Sequence, residues 1–284
     1  MKRLQEIMQD VKAMSMLVDL TDIFENTASI HIAQIKNQVL QSQAFFNELW
    51  PIYTQLRVDK DFHFGRSGYD AKYGEKELLI IVTAEGGFSG DIDQKLTGLM
   101  LSQYDESKHD IIVIGHHGAL QLAQAGVHFK RYYKLPDRDK DINVTPIVQD
   151  VQNYKTTTVF YQTYVSLMVQ DVKRISLSAA VQENVKKAPP AKDEISEKTY
   201  IFEPSTFEVV DHVESSMLQI ALSQVILESK LAQYASRFRA MSIAHDKADD
   251  SKHEFKTTYN RTKRAVKDER LKEIINGIRK VTAV

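Results

Sequence analysis

The sequence predicts a mixed α/β chain: a long antiparallel coiled coil, made from the two ends, with an α/β domain inserted between them. Helix breakers are concentrated in the middle. Ten of the eleven glycines lie between Gly65 and Gly126, residues 1–64 hold no glycine and one proline, Pro51, and from Ser205 onward there is no proline and only Gly277. An interior proline costs a helix about 3 kcal/mol and a glycine about 1, so breaker-poor ends are free to form long helices. Both ends also place apolar residues at steps of three and four, whereas the middle alternates β-rich runs with helical stretches.

Residues 1–58 are read as the first long helix. Leu4, Ile7, Val11, Met14 and Val18 step by three and four, and Leu20, Phe24, Thr27, Ile30, Ile35 and Val39 continue the stripe less strictly. Residues 205–284 are read as the second. There Leu231, Tyr234, Phe238, Met241, Ala244, Ala248, Lys252, Phe255, Tyr259, Thr262, Val266, Ile274, Ile278 and Val281 approximate an a/d seam. A narrow stripe near 3.5 residues per turn suits one partner helix, and a long helix cannot bury such a stripe by itself. The two ends are therefore expected to pair antiparallel, residues near 4–50 against residues near 225–275.

Between them, 76–180 reads as the α/β domain. Glu77–Thr83 and Asp110–Gly115 are short apolar runs that end at glycines, as buried strands do. Asp91–Tyr104 has helical spacing, and Ala119–Ala125 makes a shorter helix. Val159–Val169 is a further β-rich run, followed by alternation over Val172–Leu177. Strands separated by helices imply a parallel sheet, here with an antiparallel addition at its edge. Residues 181–204, with Lys186-Lys187 and Pro189-Pro190, read as a linker.

Composition narrows the function. Thirty-seven Lys+Arg against 38 Asp+Glu leave no broad basic footprint for nucleic acid or a membrane surface. The absence of cysteine excludes disulfides, thiolate zinc sites and cysteine nucleophiles. The polar start Met1–Glu6 does not read as a signal peptide, and runs such as Leu78–Val82 fall far short of the roughly 20 residues a membrane span requires. The expectation is a cytoplasmic chain with no cofactor, no nucleic-acid partner and no direct membrane span.

Two local motifs invite chemistry. Thr83–Asp91 is a glycine-rich turn between a strand and a helix, whose amides could cradle an anion. It lacks both Gly-Lys-Ser/Thr and the GxGxxG spacing, so a tight turn with close helix–strand packing is the stronger reading. Gly115-His116-His117-Gly118 suggests a metal site, yet adjacent histidines point apart and no third ligand lies nearby, so a βα turn with exposed histidines is expected. No complete catalytic constellation emerges. The charge on the last helix is more informative: from Lys256 to Lys280 nine basic residues face three acidic ones, which points to an acidic partner surface.

Several runs together resemble those of one known family. Phe202-Glu-Pro-Ser205 opens the match. Glu228-Ser229 and Ala235-Ser-Arg237-Phe-Arg-Ala240-Met241 resemble the family's Glu-Ser and Ala-Ala-Arg-Met-x-Ala-Met at identical spacing. Tyr259-Asn260-Arg261-Thr262-Lys263-Arg264-Ala265 resembles Tyr-Asn-Lys-x-Arg-Gln-Ala, and Glu273-Ile274-Ile275-Asn276-Gly277 the terminal Glu-Ile-Val-x-Gly. The middle agrees more loosely, through Leu79–Thr83 with Glu85–Gly90 and through Ile114–Gly118. Near the start, the family's Ile-Thr-Lys-Ala-Met-Lys-Met becomes Leu20-Thr21-Asp22-Ile23-Phe24-Glu25-Asn26, exchanging lysine for acid.

Together these runs resemble the γ subunit of the F-type ATP synthase, and the resemblance implies a Rossmann-like inserted domain and a rotor shaft with no active site of its own. It implies α and β subunits of a catalytic ring, an ε subunit and a c-ring as partners, at the cytoplasmic face of the plasma membrane. Contact with a β subunit falls to Lys263 and Arg264, with Arg261, Lys267 and Phe24 beside them, while Leu4, Ile7, Val11, Phe238, Met241, Phe255, Tyr259 and Ile274 form the helix seam. Two other readings stay open at this point: a stand-alone nucleotide-binding α/β enzyme, and a coiled-coil adaptor of an ATPase-derived motor, suggested by the acids at Asp22 and Glu25.

Overall fold

The computed structural model describes residues 4–56, 76–136, 142–154, 156–177, 203 and 206–282; the expected linker over 181–204 lies outside them apart from Glu203. Two helices dominate, α1 over Leu4–Leu56 and α5 over Thr206–Thr282. Between them come β1 (Glu77–Val82), α2 (Ile92–Leu101), β2 (His109–Ile114), α3 (His116–Gln124), β3 (Arg131–Tyr133), α4 (Thr145–Val151), β4 (Thr157–Tyr164) and β5 (Gln170–Ser176). The chain divides into two compact units, one made of residues 28–237 and one of residues 1–27 with 238–284.

In the larger unit the sheet runs in the order β3-β2-β1-β4-β5. Its first four strands are parallel, and β5 returns antiparallel at the edge, pairing Phe160 with Arg174. Central strands buried on both faces read as continuous apolar runs, and β1, Glu-Leu-Leu-Ile-Ile-Val, is such a run. Alternate side chains then go to opposite layers. Leu78, Ile80, Val82, Ile112 and Ile114 point to one core, shared with Ile147 and Val148 of α4 and with Met217, Ala221, Leu222 and Ile226 of α5. Leu79, Ile81, Ile111 and Val113 point to the other, against Leu96 and Met100 of α2 and Leu122 of α3. A segment that reads as pure shaft thus begins as a layer of the α/β core.

The expected run over Val159–Val169 is shorter in fact: β4 stops at Tyr164, and Ser166 N donates to Val169 O at 2.9 Å to close a turn. α3 starts three residues earlier than the Ala119 expected, directly after Gly115, whose φ is 99°. β3 and α4 were not expected; α4 carries its proline in the first turn, where the missing N–H costs nothing. In the same unit, the His31 ring of α1 stacks on Tyr234 of α5 with centroids 4.6 Å apart. Ile35 packs with Leu227 and Leu231, so numbers rise along α1 as they fall along α5, and the helices run antiparallel.

The smaller unit consists of the first turns of α1 and the later part of α5. On α1, Leu4, Ile7, Val11, Met14, Val18 and Thr21 are covered or half-covered. On α5 the covered series is Phe238, Met241, His245, Ala248, Lys252, Phe255, Tyr259 and Thr262. Both series alternate three and four, the repeat that keeps a seam facing one partner helix. Three expected stripe residues are not in it. Leu20, Thr27 and Ile30 are exposed, and Thr21 and Ala28 are buried instead, because the strict seven-residue repeat from Ile7 and Met14 falls on them. The end of the expected α5 seam is also corrected: Val266, Ile274 and Ile278 are exposed, since no described residue covers α5 beyond Thr262.

Candidate functional site

Two features of the chain are built for something other than apolar packing. The first is a buried polar network in the larger unit. Asp93, in the first turn of α2, accepts from Gln162 Nε2 at 2.6 Å and from the Ala84 amide at 3.4 Å through Oδ1. Its Oδ2 lies 3.0 Å from His117 Nδ1 of α3. Gln162, wholly buried on β4, accepts through Oε1 from Ser229 Oγ and, at 3.3 Å, from Gln233 Nε2, both on α5. Buried polar groups are costly unless partnered, and this set is partnered throughout. The hydrogen bond to Asp93 holds the His117 imidazole above its usual range, against partial burial and the nearby Arg237.

The glycine-rich turn belongs to the same clasp. Arg237 of α5 donates from Nε to Gly87 O at 3.0 Å and from Nη2 to Gly86 O at 3.1 Å, and Ser236 Oγ donates to Ser89 O at 2.6 Å. The turn therefore presents carbonyl oxygens to a guanidinium, the reverse of an anion cradle. Tyr234 supports the Arg237 guanidinium from a ring 5.3 Å away, and desolvation lowers the arginine's pKa. The His-His turn differs from expectation in one respect: His116 is exposed, but His117 is half-buried and committed to Asp93. Gly115 and Gly118 serve close packing, since a Cβ at either would fall within 2.0 and 2.7 Å of Thr83 atoms. Among the described residues no histidine and carboxylate cluster has metal-site geometry.

The second feature is the far end of α5, in the smaller unit. Every residue from Lys263 to Arg279 is exposed, and the run includes Val266, Leu271, Ile274, Ile275 and Ile278 among its basic residues. Of the residues implicated in β-subunit contact, Lys263, Arg264 and Lys267 lie exposed at the start of this run and Arg261 exposed just before it, while Phe24 is half-buried on α1. Lys263 Nζ stands 5.6 Å from the Tyr259 ring centroid, a cation–π contact within the helix. Single apolar residues on a surface are ordinary, but a helix turn after turn without a covering partner is not.

The family model described as ATP synthase matches residues 2–281. The chain belongs to that family. Its curated relatives carry the description ATP synthase gamma chain. The one from Mycoplasmoides gallisepticum is 20% identical over 292 residues, covering 99% of this chain and 100% of its own. That from Desulfotalea psychrophila is 26% identical over 211 residues, covering 70% and 72%. A chain of the Euglena gracilis mitochondrial ATP synthase shares the fold with a TM-score of 0.65 at 16% identity, covering 98% of this chain and 95% of that one. A chain from the central stalk and c-ring of the Tetrahymena thermophila enzyme scores 0.58 at 14% identity, covering 79% and 99%. The role that goes with this membership is that of the gamma subunit, the central rotor stalk of an F-type ATP synthase.

For a rotor stalk the first feature has a mechanical consequence. A shaft that transmits torque must not slip against its own α/β domain. The clasp of Arg237, Ser229 and Gln233 ties α5 to β4, to the turn after β1 and, through Asp93, to α2. Thr163 Oγ1 adds a bond to Glu228 Oε1 at 2.5 Å. In the sequence Glu228, Ser229 and Arg237 stand out only as family-like residues. The internal signal was Gln162, a polar residue midway through a β-rich run that is otherwise buried.

Proposed function

We propose that this gamma chain works as a shaft without a catalytic site of its own, inserted by its paired helix ends into a ring of α and β subunits. Its α/β domain stands at the foot on an ε subunit and a c-ring, and the complex sits peripherally at the cytoplasmic face of the plasma membrane. No helix among the described residues is long and apolar enough to cross a membrane, in keeping with attachment through partners. One observation carries the reading: the run from Lys263 to Arg279 is exposed on all sides although it carries five large apolar residues. A soluble helix keeps such residues for a partner, and its surrounding basic charge suits an acidic one.

The mechanism rests on asymmetry. An eccentric helix pair presses on one β subunit at a time, so its angle sets which β conformation is favoured. In free-energy terms the shaft couples rotation angle to the differential stability of open and closed states, and the coupling is reciprocal. Ion flow drives rotation in one direction, and ATP hydrolysis in the other. Lys263 is engaged with Tyr259, which leaves Arg264, with its planar fork, as the better partner for a β carboxylate. Affinity purification of the tagged chain tests the reading: α, β and c-ring subunits should be recovered together. Recovery of unrelated structural proteins in their place would favour an adaptor of an ATPase-derived motor.

A further inference from the structure

The larger unit holds a cavity of about 400 Å³ at the carboxyl ends of β2 and β3, the side of an open α/β sheet where ligands commonly bind. Its walls are mainly aliphatic and come from several elements. Ile114 ends β2, Leu135 follows β3, Ile142 precedes α4, and Ile147 and Ile226 belong to α4 and α5. The volume lies within the range of small-molecule sites, about 300–1,000 Å³. The polar side chains around it differ in what they are free to do. The Tyr133 hydroxyl is committed, donating to Asp150 Oδ2 at 2.7 Å. Asn143 accepts from the Thr145 amide at 3.0 Å through Oδ1, which leaves its Nδ2 as a donor. Lys134 is exposed, and its ammonium has no hydrogen bond or ion pair among the described residues. No carboxylate is among the lining residues. Both free groups are therefore donors, one of them a full positive charge. An adjoining cavity of about 160 Å³ is polar, but its charged groups are engaged within the chain. Glu85 accepts from the Leu135 amide at 2.6 Å, Lys230 Nζ donates to Pro136 O at 3.3 Å, and Arg237 is held by Gly86 and Gly87.

We infer that the larger cavity is a binding site for a small amphipathic anion, an aliphatic chain ending in a carboxylate. The chain lies against the isoleucine and leucine walls, and the carboxylate meets Lys134 and Asn143. The aliphatic lining argues against a nucleotide or a sugar, whose polar groups would leave water and find few partners in return. A carboxylate suits the rim because an ionised acceptor gains most from an ammonium and an amide donor. One wall is α5 and the others are the sheet and α4, so an occupant joins the shaft helix to the α/β domain at a place apart from the Gln162–Asp93 clasp. Binding to the folded chain alone stabilises it in step with ligand concentration.

Methyl NMR of the full-length chain tests the assignment, with octanoate as the probe and octanol and octylammonium as its neutral and cationic counterparts. Isoleucine δ1-methyl labelling reports on the site directly. Ile114, Ile142, Ile147 and Ile226 line the cavity, whereas Ile23, Ile274 and Ile278 are exposed on the long helices. Octanoate should shift the four cavity methyls saturably and leave the three exposed ones unmoved. Octanol should bind about fivefold more weakly, the upper end of what an exposed ion pair contributes, and octylammonium more weakly still. Lys134→Met should bind octanoate and octanol alike, with an unchanged thermal midpoint because the residue is exposed. Ile142→Trp, which fills the cavity, should abolish the shifts from both probes; if that variant does not fold, Lys134→Met decides. Equal shifts at the exposed isoleucines, octanol binding as tightly as octanoate to the wild type, or no shift at the cavity methyls would overturn the inference. The rotor reading stands apart from these outcomes, since recovery of α, β and c-ring subunits tests it separately.

Discussion

Gln162 Nε2 donates to Asp93 Oδ1 at 2.6 Å, joining a central strand to the first turn of α2 with both side chains buried. The other end of the same carboxamide accepts from Ser229 and Gln233 of α5, so one side chain links sheet, helix layer and shaft. Replacing Gln162 with leucine leaves Asp93 short of a donor and the α5 pair short of an acceptor. A buried polar group without its partner costs about 1–3 kcal/mol, more when charged. Urea unfolding of Gln162→Leu should show a loss of about 2–4 kcal/mol. A loss below about 0.5 kcal/mol would mean that water reaches the network.

His117 gives the same clasp a dependence on pH. Its folded pKa is raised above the ordinary 6.5, first by the hydrogen bond to Asp93 and then by the charges of Asp93 and Glu85, with burial and Arg237 opposing. A raised folded pKa means that the contribution is fully present below 6.5 and fades as pH rises through the higher folded value. The stability difference between the wild type and His117→Gln should therefore be larger at acidic pH near the ordinary histidine value than at alkaline pH. A difference that is flat across that window, or that grows on the alkaline side, contradicts the pairing.

Two classes of glycine are distinguishable by substitution. At Gly118 a Cβ would lie 2.7 Å from Thr83 Oγ1, an atom that also accepts from the Gly118 amide at 2.9 Å. At Gly98, within α2, it would meet nothing within 4 Å. Gly118→Ala forces the βα turn apart and should cost more than about 2 kcal/mol, as overpacking does. Gly98→Ala should stabilise by up to about 1 kcal/mol, since alanine is the better helix former. Thermal midpoints moving in opposite directions would verify both; a stable Gly118→Ala would show that the turn yields.

The seam offers a comparison along one repeat. Ile7 is buried whereas Ile274 is 56% exposed, although the sequence places both in apolar series at similar steps. Ile7→Ala should cost about 2–5 kcal/mol, and Ile274→Ala no more than about 0.5 in the isolated chain. Equal losses would return Ile274 to the seam.

Much of the fold was legible because local and tertiary demands agree. β1 and β2 carry the unbroken apolar runs Leu78–Val82 and Ile111–Ile114 since both their faces are covered there, and breaker-poor ends did form two long helices. Less visible was which apolar residues face inward. Leu20 and Ile30 look like better core residues than Thr21 and Ala28, yet the repeat set by Ile7 and Met14 buries the small pair and exposes the large one. Composition suggests that a residue is buried, but register decides it. The clasp was hidden for a different reason: Asp93, Gln162 and Ser229 lie far apart in the chain, and only the packed sheet brings them together. The exposed end of α5 was misread because an apolar series at seam spacing looks the same whether its partner is the chain's own helix or another subunit.

That end carries the prediction on torque. Lys263→Ala with Arg264→Ala removes two exposed cations, one of which lies over the Tyr259 ring in its own helix. Exposed charges contribute about 0–1 kcal/mol to folding, so the unfolding midpoint of the isolated chain should barely move. Under the proposed β-subunit contact, coupled ATP turnover in the assembled complex should fall far more than that. Raising ionic strength should weaken the wild-type contact as well, by screening. Single variants separate the two residues: Arg264→Ala should account for most of the defect, since its fork is free to pair with a carboxylate in two places. Restoring charge without the fork, as in Arg264→Lys, should recover only part of the turnover. If the double variant assembles and turns over ATP like the wild type at low salt, these two cations do not grip a β subunit, and the grip lies with the apolar residues Val266 to Ile278.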